Sequence, residues 1–335
     1  MRMSLNDQIK AQVLAFDAAM RPWAARGRLH GWAYEFLLFG LKQAWACLFG
    51  GALLALLIAT KLWWPADGPM SRYDLLVVSA LALQVFLLAT RLERWDEALV
   101  IAVFHVVGTA MEVFKTAHGS WTYPEESLLR IGGVPLFSGF MYAAIGSFIA
   151  RSWRLMAFRF VRYPPTWAVA MLALSAYVNF FTQHYVVDVR IALFVVSVML
   201  FAPTWIVFEV DRRPRRMPLL LGFVLVALFI WLAENIGTFT GAWAYPSQHG
   251  MWRPTPIGKL GAWYLLMLLS FVLVSLVHRP RAPRPGVATN PIDQQQANPQ
   301  PLIPAKAGTQ AESACYPTRA RKITDNPHGS PPSRG

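Results

Sequence analysis

Two glutamates sit within long apolar stretches of this sequence, and each is followed at the same spacing by the same aromatic residues. Residues 112–124 read EVFKTAHGSWTYP and residues 234–246 read ENIGTFTGAWAYP. Both fit E-x-x-x-T-x-x-G-x-W-x-Y-P without a gap, at an offset of 122 residues, and Gly139 and Tyr142 downstream align with Gly261 and Tyr264. Such a register reads as an internal duplication. A carboxylate in hydrocarbon costs roughly 2.5–3.5 kcal/mol, so an intramembrane acid normally faces protein and has a partner or a task. Glu112 and Glu234 are therefore candidate catalytic acids. If a symmetry axis brings them together, one proton can be shared between them, which suits general acid/base work. The plainer role is a hydrogen bond that ties helices together.

The neighbouring residues extend this pattern. His105, Thr109 and Glu112 share one helix face, which makes His105 a candidate proton relay or an interhelix hydrogen bond. Trp121, Tyr123, Trp243 and Tyr245 follow the acids after a glycine that permits a tight turn, and Pro124 and Pro246 stop the helix. They are candidate substrate-binding residues at a pocket mouth, or members of an interfacial aromatic belt. Asn179, Thr182, Gln183, His184 and Asp188 form a polar helix end. With Lys115, His118, Asn235 and His249 they gather on the same side, and Asn179, His184 and Asn235 join the candidate binding set. A His/Glu metal site is conceivable there. No metal is assigned, because the seven histidines form no H-x-x-H or H-E-x-x-H. Walker A and G-x-S-x-G motifs are also missing, Cys47 and Cys315 form no framework, and no cofactor is implied.

The elements that must hold these residues are set by composition. Apolar residues make up 55% of the 335 and charged residues 15%, with 14 Trp and 21 Phe. That composition points to a membrane protein. Eight runs approach the ~20 residues a span needs: 41–63, 74–92, 97–117, 133–152, 166–185, 189–208, 217–239 and 259–278. Pro203 falls within the sixth and predicts a kink. Residues 1–35 read as a basic cytoplasmic segment. Ser4 caps a helix there whose Leu5, Ile9, Val13, Phe16 and Met20 line one face, suited to a membrane surface. Residues 36–279 form the membrane domain, with halves at about 41–152 and 166–278. The Pro/Arg-rich tail, 280–335, reads as disordered and cytoplasmic.

Basic clusters fix the expected orientation. Arg151/Arg154/Arg159/Arg162 and Arg212/Arg213/Arg215/Arg216 both fall inside if the N-terminus is cytoplasmic. The formal charge of +13 then reports topology and anionic lipid, not nucleic acid. The expected fold class is all-α: a polytopic bundle of about eight transmembrane helices in a bacterial inner membrane, both termini cytoplasmic. Four helices separate the two motif copies, so the repeat is parallel.

With EVFKTAHGSWTYPE, ENIGTFTGAWAYP and KQAWACLFGG (Lys42–Gly51) in hand, the chain resembles a family of bacterial integral membrane proteins, the domain of unknown function numbered 817, over roughly residues 35–278. The resemblance implies a polytopic membrane fold and brings no established activity. A weaker similarity is to membrane lycopene cyclases and carotenoid hydratases. It rests on Asn235, Gly237, Gly241, Trp243 and Tyr245, and the paired acidic motif of those cyclases is not evident here. The expected function is binding or modification of an amphiphilic lipid or isoprenoid, with membrane lipids as partners. Alternatives are a transporter or channel for a small polar solute or proton, and a non-catalytic scaffold.

Overall fold

A computed structural model describes residues 5–65, 68–211, 213–248, 250–278 and 280. Ser4, Arg212, His249 and the tail from 281 onward lie outside them. Helices occupy all eight expected positions. The amphipathic α1 (Leu5–Ala24) comes first, then α2 (Arg28–Ala46) and α3 (Leu48–Trp63). Next are α4 (Arg72–Ala89), α5 (Trp95–Ala117), α6 (Phe137–Leu155) and α7 (Thr166–Thr182), then α8 (Arg190–Phe201), α9 (Leu219–Phe239) and α10 (Leu260–His278). Four helical segments, α4, α5, α9 and 257–278, are long and apolar enough to cross a membrane, and α2 with α3 makes a fifth if that bent pair is one span. Large apolar side chains stay exposed on these helices: Val78, Leu81, Val85 and Phe86 on α4, and Leu221, Leu225, Phe229 and Leu232 on α9. Rows of exposed apolar groups this long are what a bilayer would cover.

Three expectations are corrected. The first apolar run is not one straight helix from 41. It starts at Arg28 and bends by 69° between α2 and α3. The Gly50–Gly51 pair follows the break, and Gly50 lies close against Ala144 of α6, so a sharp kink has an identifiable cause. The sixth run is helical only to Phe201, so Pro203 ends the helix instead of kinking it. Its remainder becomes β4 (Trp205–Glu209), the centre of an antiparallel sheet with β3 (Arg159–Val161) and β5 (Pro214–Pro218). The fold is therefore mostly helical and not all-α. A second, two-stranded ladder joins β1 (Arg130–Ile131) to β2 (Val134–Pro135) across Gly132 and Gly133, both at positive φ, as a tight hairpin turn requires.

The three-stranded sheet and the two motif turns sit at opposite ends of the helices. α6 begins beside the first turn and runs to β3, and α9 begins after β5 and runs to the second turn. The sheet end is ionic. Arg215 pairs with Glu35, Arg21 reaches Asp17 and Asp211, and the fully buried Arg151 lies 3.4 Å from Glu93. The turn end is held by the start of α4. Arg72 bonds Glu125, Thr60 and the Thr240 carbonyl, and Tyr73 donates to the Ala242 carbonyl at 2.9 Å. Asp74 accepts from the Leu128 and Leu129 amides at 2.8–2.9 Å and from Ser71 Oγ at 2.7 Å. Three consecutive residues of one helix thus fasten both motif loops. Asp74→Ala strands two backbone donors and a hydroxyl and should cost about 2–4 kcal/mol. Ser71→Ala removes a helix cap and should cost about 1 kcal/mol. Thermal unfolding in detergent should rank them in that order.

Candidate functional site

The two motif copies adopt the same local geometry. Gly119 and Gly241 end α5 and α9 at φ +67° and +70°, conformations that disfavour any side chain. After each, the chain closes with the same pair of bonds: Gly119 N to Thr116 O with Ser120 N to Lys115 O, and Gly241 N to Thr238 O with Ala242 N to Gly237 O. This is the Schellman closure, and T-x-x-G-x is its trace in the sequence. The turn swings each tryptophan and tyrosine back over its own helix. Trp121 Nε1 and Tyr123 Oη both donate to Glu112 Oε2, at 2.7 and 2.5 Å, and Trp243 Nε1 and Tyr245 Oη both donate to Glu234 Oε1. The two turns also bond each other. Thr122 and Ala244, the same motif position in each copy, exchange amide-to-carbonyl bonds of 2.9 and 3.0 Å.

Both acids are buried, at 4% and 5% exposure. Tyr142 of α6 donates to Glu112 Oε1 at 2.7 Å. Its aligned partner Tyr264 departs from this pattern and bonds Ser197 at 2.7 Å. The copies also differ beneath the indoles. Any Cβ at Gly237 would overlap the Trp243 ring, so glycine alone lets that indole lie against α9. At the corresponding place the first copy carries Lys115. Trp121 accordingly stays half-buried and meets Tyr245 edge-on at 6.0 Å.

Trp121, Tyr142 and Tyr245 form one wall of a cavity of about 430 Å³. The opposite walls come from α7 and α10: Ala176, Tyr177, Phe180, Leu265, Leu266 and Leu269. Asn179 and Gln183 also line it, with Lys115, Arg190 and Lys259. Lys259 Nζ sits 2.8 Å from the Tyr245 ring centroid, and Lys115 Nζ sits 2.8 Å from His184 Nε2 and 4.4 Å from the Phe180 centroid. Asn179 is oriented by Asp188 and the Val189 amide. The catalytic and binding candidates thus separate. Glu112, Glu234, Tyr123 and Trp243 lie behind the wall, Trp121, Tyr245 and Asn179 line the cavity, and His184 touches it through Lys115.

His105 is not brought into this cluster. It packs against Phe140, ring centroids 4.3 Å apart, and over Gly139. Asn235 turns to the Trp231 carbonyl and the Thr255 amide. Among the described residues no three His, Cys, Asp or Glu side chains converge as metal ligands do. Sequence reasoning missed Arg190 and Lys259 as site residues. Both flank the N-termini of apolar helices, where a cation opposes the helix dipole, and that misplaced charge was the available signal.

Comparison with known proteins gives the family. A model of the family described as "Protein of unknown function (DUF817)" matches residues 35–271, a stretch that contains both motif copies. The chain belongs to that family. It is 41% identical over 255 residues to the uncharacterized protein YoaT of Bacillus subtilis, covering 76% of this chain and 96% of that protein. A crystal structure of a cross-linked MvINS trimer overlaps 56% of this chain and 98% of its own, at 13% identity and a TM-score of 0.39.

One outcome follows from this geometry. Gly237→Ala should displace Trp243 and shift tryptophan emission to the red, with a lower melting temperature. Gly258→Ala, where a Cβ meets nothing, should change neither.

Proposed function

We propose that this family member is an eight-span protein of a bacterial inner membrane that binds or modifies an amphiphilic lipid or isoprenoid beside its paired motif turns. The observation that carries this reading is the cavity of about 430 Å³, a size usual for small-molecule sites. Its lining is mostly leucine, alanine and aromatic side chains, with Asn179, Gln183 and three cations among them. In this reading Glu112 and Glu234 act first as polar anchors. They take the indole and phenol donors, which turns the ring faces toward the ligand and leaves no competing polar edge on that wall.

Several observations support the orientation. The arginine-rich sheet lies at the helix ends opposite the turns, and basic loops stay cytoplasmic, so the turns would face outward and both termini inward. The matched Schellman closures and the Thr122–Ala244 exchange support a duplication with a pseudo-two-fold axis along the membrane normal.

Ser120→Cys and Ser247→Cys should both label with an impermeant maleimide in intact cells. Labelling of either only after permeabilisation would overturn the orientation. For the ligand, native mass spectrometry of protein from a mild detergent should detect a bound amphiphile. Trp121→Ala should lose it, and lipid extracts of a Glu234→Gln strain should change. Ligand-free wild-type protein with an unchanged lipid profile leaves the scaffold reading in place.

A further inference from the structure

We infer that the cavity selects an amphiphile with an anionic head, a phosphate or carboxylate, held by Lys115, Lys259 and Arg190. This rests on the amphiphile reading above and adds the chemistry of the head. The argument is an imbalance of donors over acceptors. Three cations line the cavity, and among the described residues no aspartate or glutamate does. Lys115 is decisive. It is 95% buried, yet among the described residues no carboxylate lies within ion-pair distance of it. Its close contacts are the imidazole of His184 and the face of Phe180. A buried ammonium without a counter-charge is costly unless something supplies one.

The nearby acids make no ion pair with it, and Asp188 acts on it only through space. Glu112 and Glu234 are occupied by indole and phenol donors, and Glu234 acts on Lys259 only through space. Asp188 pairs with Arg190 through that residue's Nε. Lys259 rests on the Tyr245 ring, and among the described residues no carboxylate lies within ion-pair distance of it. A second, independent observation points the same way. Trp263 lines the cavity, and its Nε1–H is buried with no hydrogen-bond partner. An indole donor and three cations around one space call for an acceptor-only group, and phosphate or carboxylate oxygens are that group. The leucines of α10 would then meet the chain.

The test uses full-length protein in a neutral detergent, with dodecyl phosphate, dodecanol and inorganic phosphate as probes and tryptophan quenching as the readout. Dodecyl phosphate should bind about tenfold or more tightly than dodecanol, the gain expected of a charge-assisted contact. Lys115→Gln and Lys259→Gln should each abolish that preference. Lys115→Arg should restore it, and Lys10→Gln on α1 should leave it intact. If Lys115→Gln fails to fold, Lys259→Gln alone decides. Inorganic phosphate binding as tightly as dodecyl phosphate, with the same lysine dependence, would mean the anion is a free solute and would overturn the amphiphile reading while keeping the anion site. Equal binding of dodecanol and dodecyl phosphate, unchanged in the lysine variants, would overturn the anionic head and leave the amphiphile. Binding of none would overturn both.

Discussion

A carboxylate buried at the end of an apolar helix has to find hydrogen-bond donors, and in this protein the chain immediately downstream provides them. Burial of Glu112 without partners would cost several kcal/mol. The Gly119 turn returns Trp121 and Tyr123 to it, α6 adds Tyr142, and the second copy repeats the indole and phenol at Glu234. The consequence reaches past the acids. Large amphipathic rings that usually keep a polar edge in water have that edge consumed inside the protein. The faces of Trp121, Tyr142 and Tyr245 remain, and these line the cavity. Helix termination, ring orientation and cavity shape thus follow from one electrostatic requirement met twice.

The two copies meet it with different surroundings, and the difference is what opens a space. Gly237 lets Trp243 lie flat on α9, buried and removed from the cavity. Lys115 at the equivalent place prevents this, and Trp121 stands outward against Tyr245. Tyr142 reaches Glu112, whereas Tyr264 is taken by Ser197. At Glu234 the motif position beneath the indole is a glycine, and at Glu112 the same motif position is a buried cation.

The rest of the fold serves to hold the turns. Arg72, Tyr73 and Asp74 fasten them from one side, and the Thr122–Ala244 exchange joins them across the middle. The opposite end is ionic, with Arg151 fully buried beside Glu93 and the short sheet linking α6, α8 and α9. Both ends are therefore stitched by polar contacts, while the helices between them expose apolar side chains. That distribution matches a layer of hydrocarbon between two aqueous phases.

By itself the sequence determined the helical positions, the paired motif and the order of acid, turn and rings. These depend on short-range rules: apolar length, a glycine where φ must be positive, and a fixed interval between acid and aromatic residues. It also carried the separation of basic from aromatic ends. Only the tertiary structure decided what lies beside what. No periodicity reveals that residues 205–209 are a strand, because an apolar run reads alike in a buried strand and in a span, and the pairing with β3 and β5 comes from distant chain. Nor could spacing assign His105 to Phe140 and away from Glu112, since one helix face meets different neighbours along its length. Lys115, Arg190 and the stretch that carries Lys259 and Trp263 come from three separate parts of the chain and converge only when α5, α8 and α10 pack. A cavity is defined by the absence of atoms between elements, and that property has no trace in any one segment of chain.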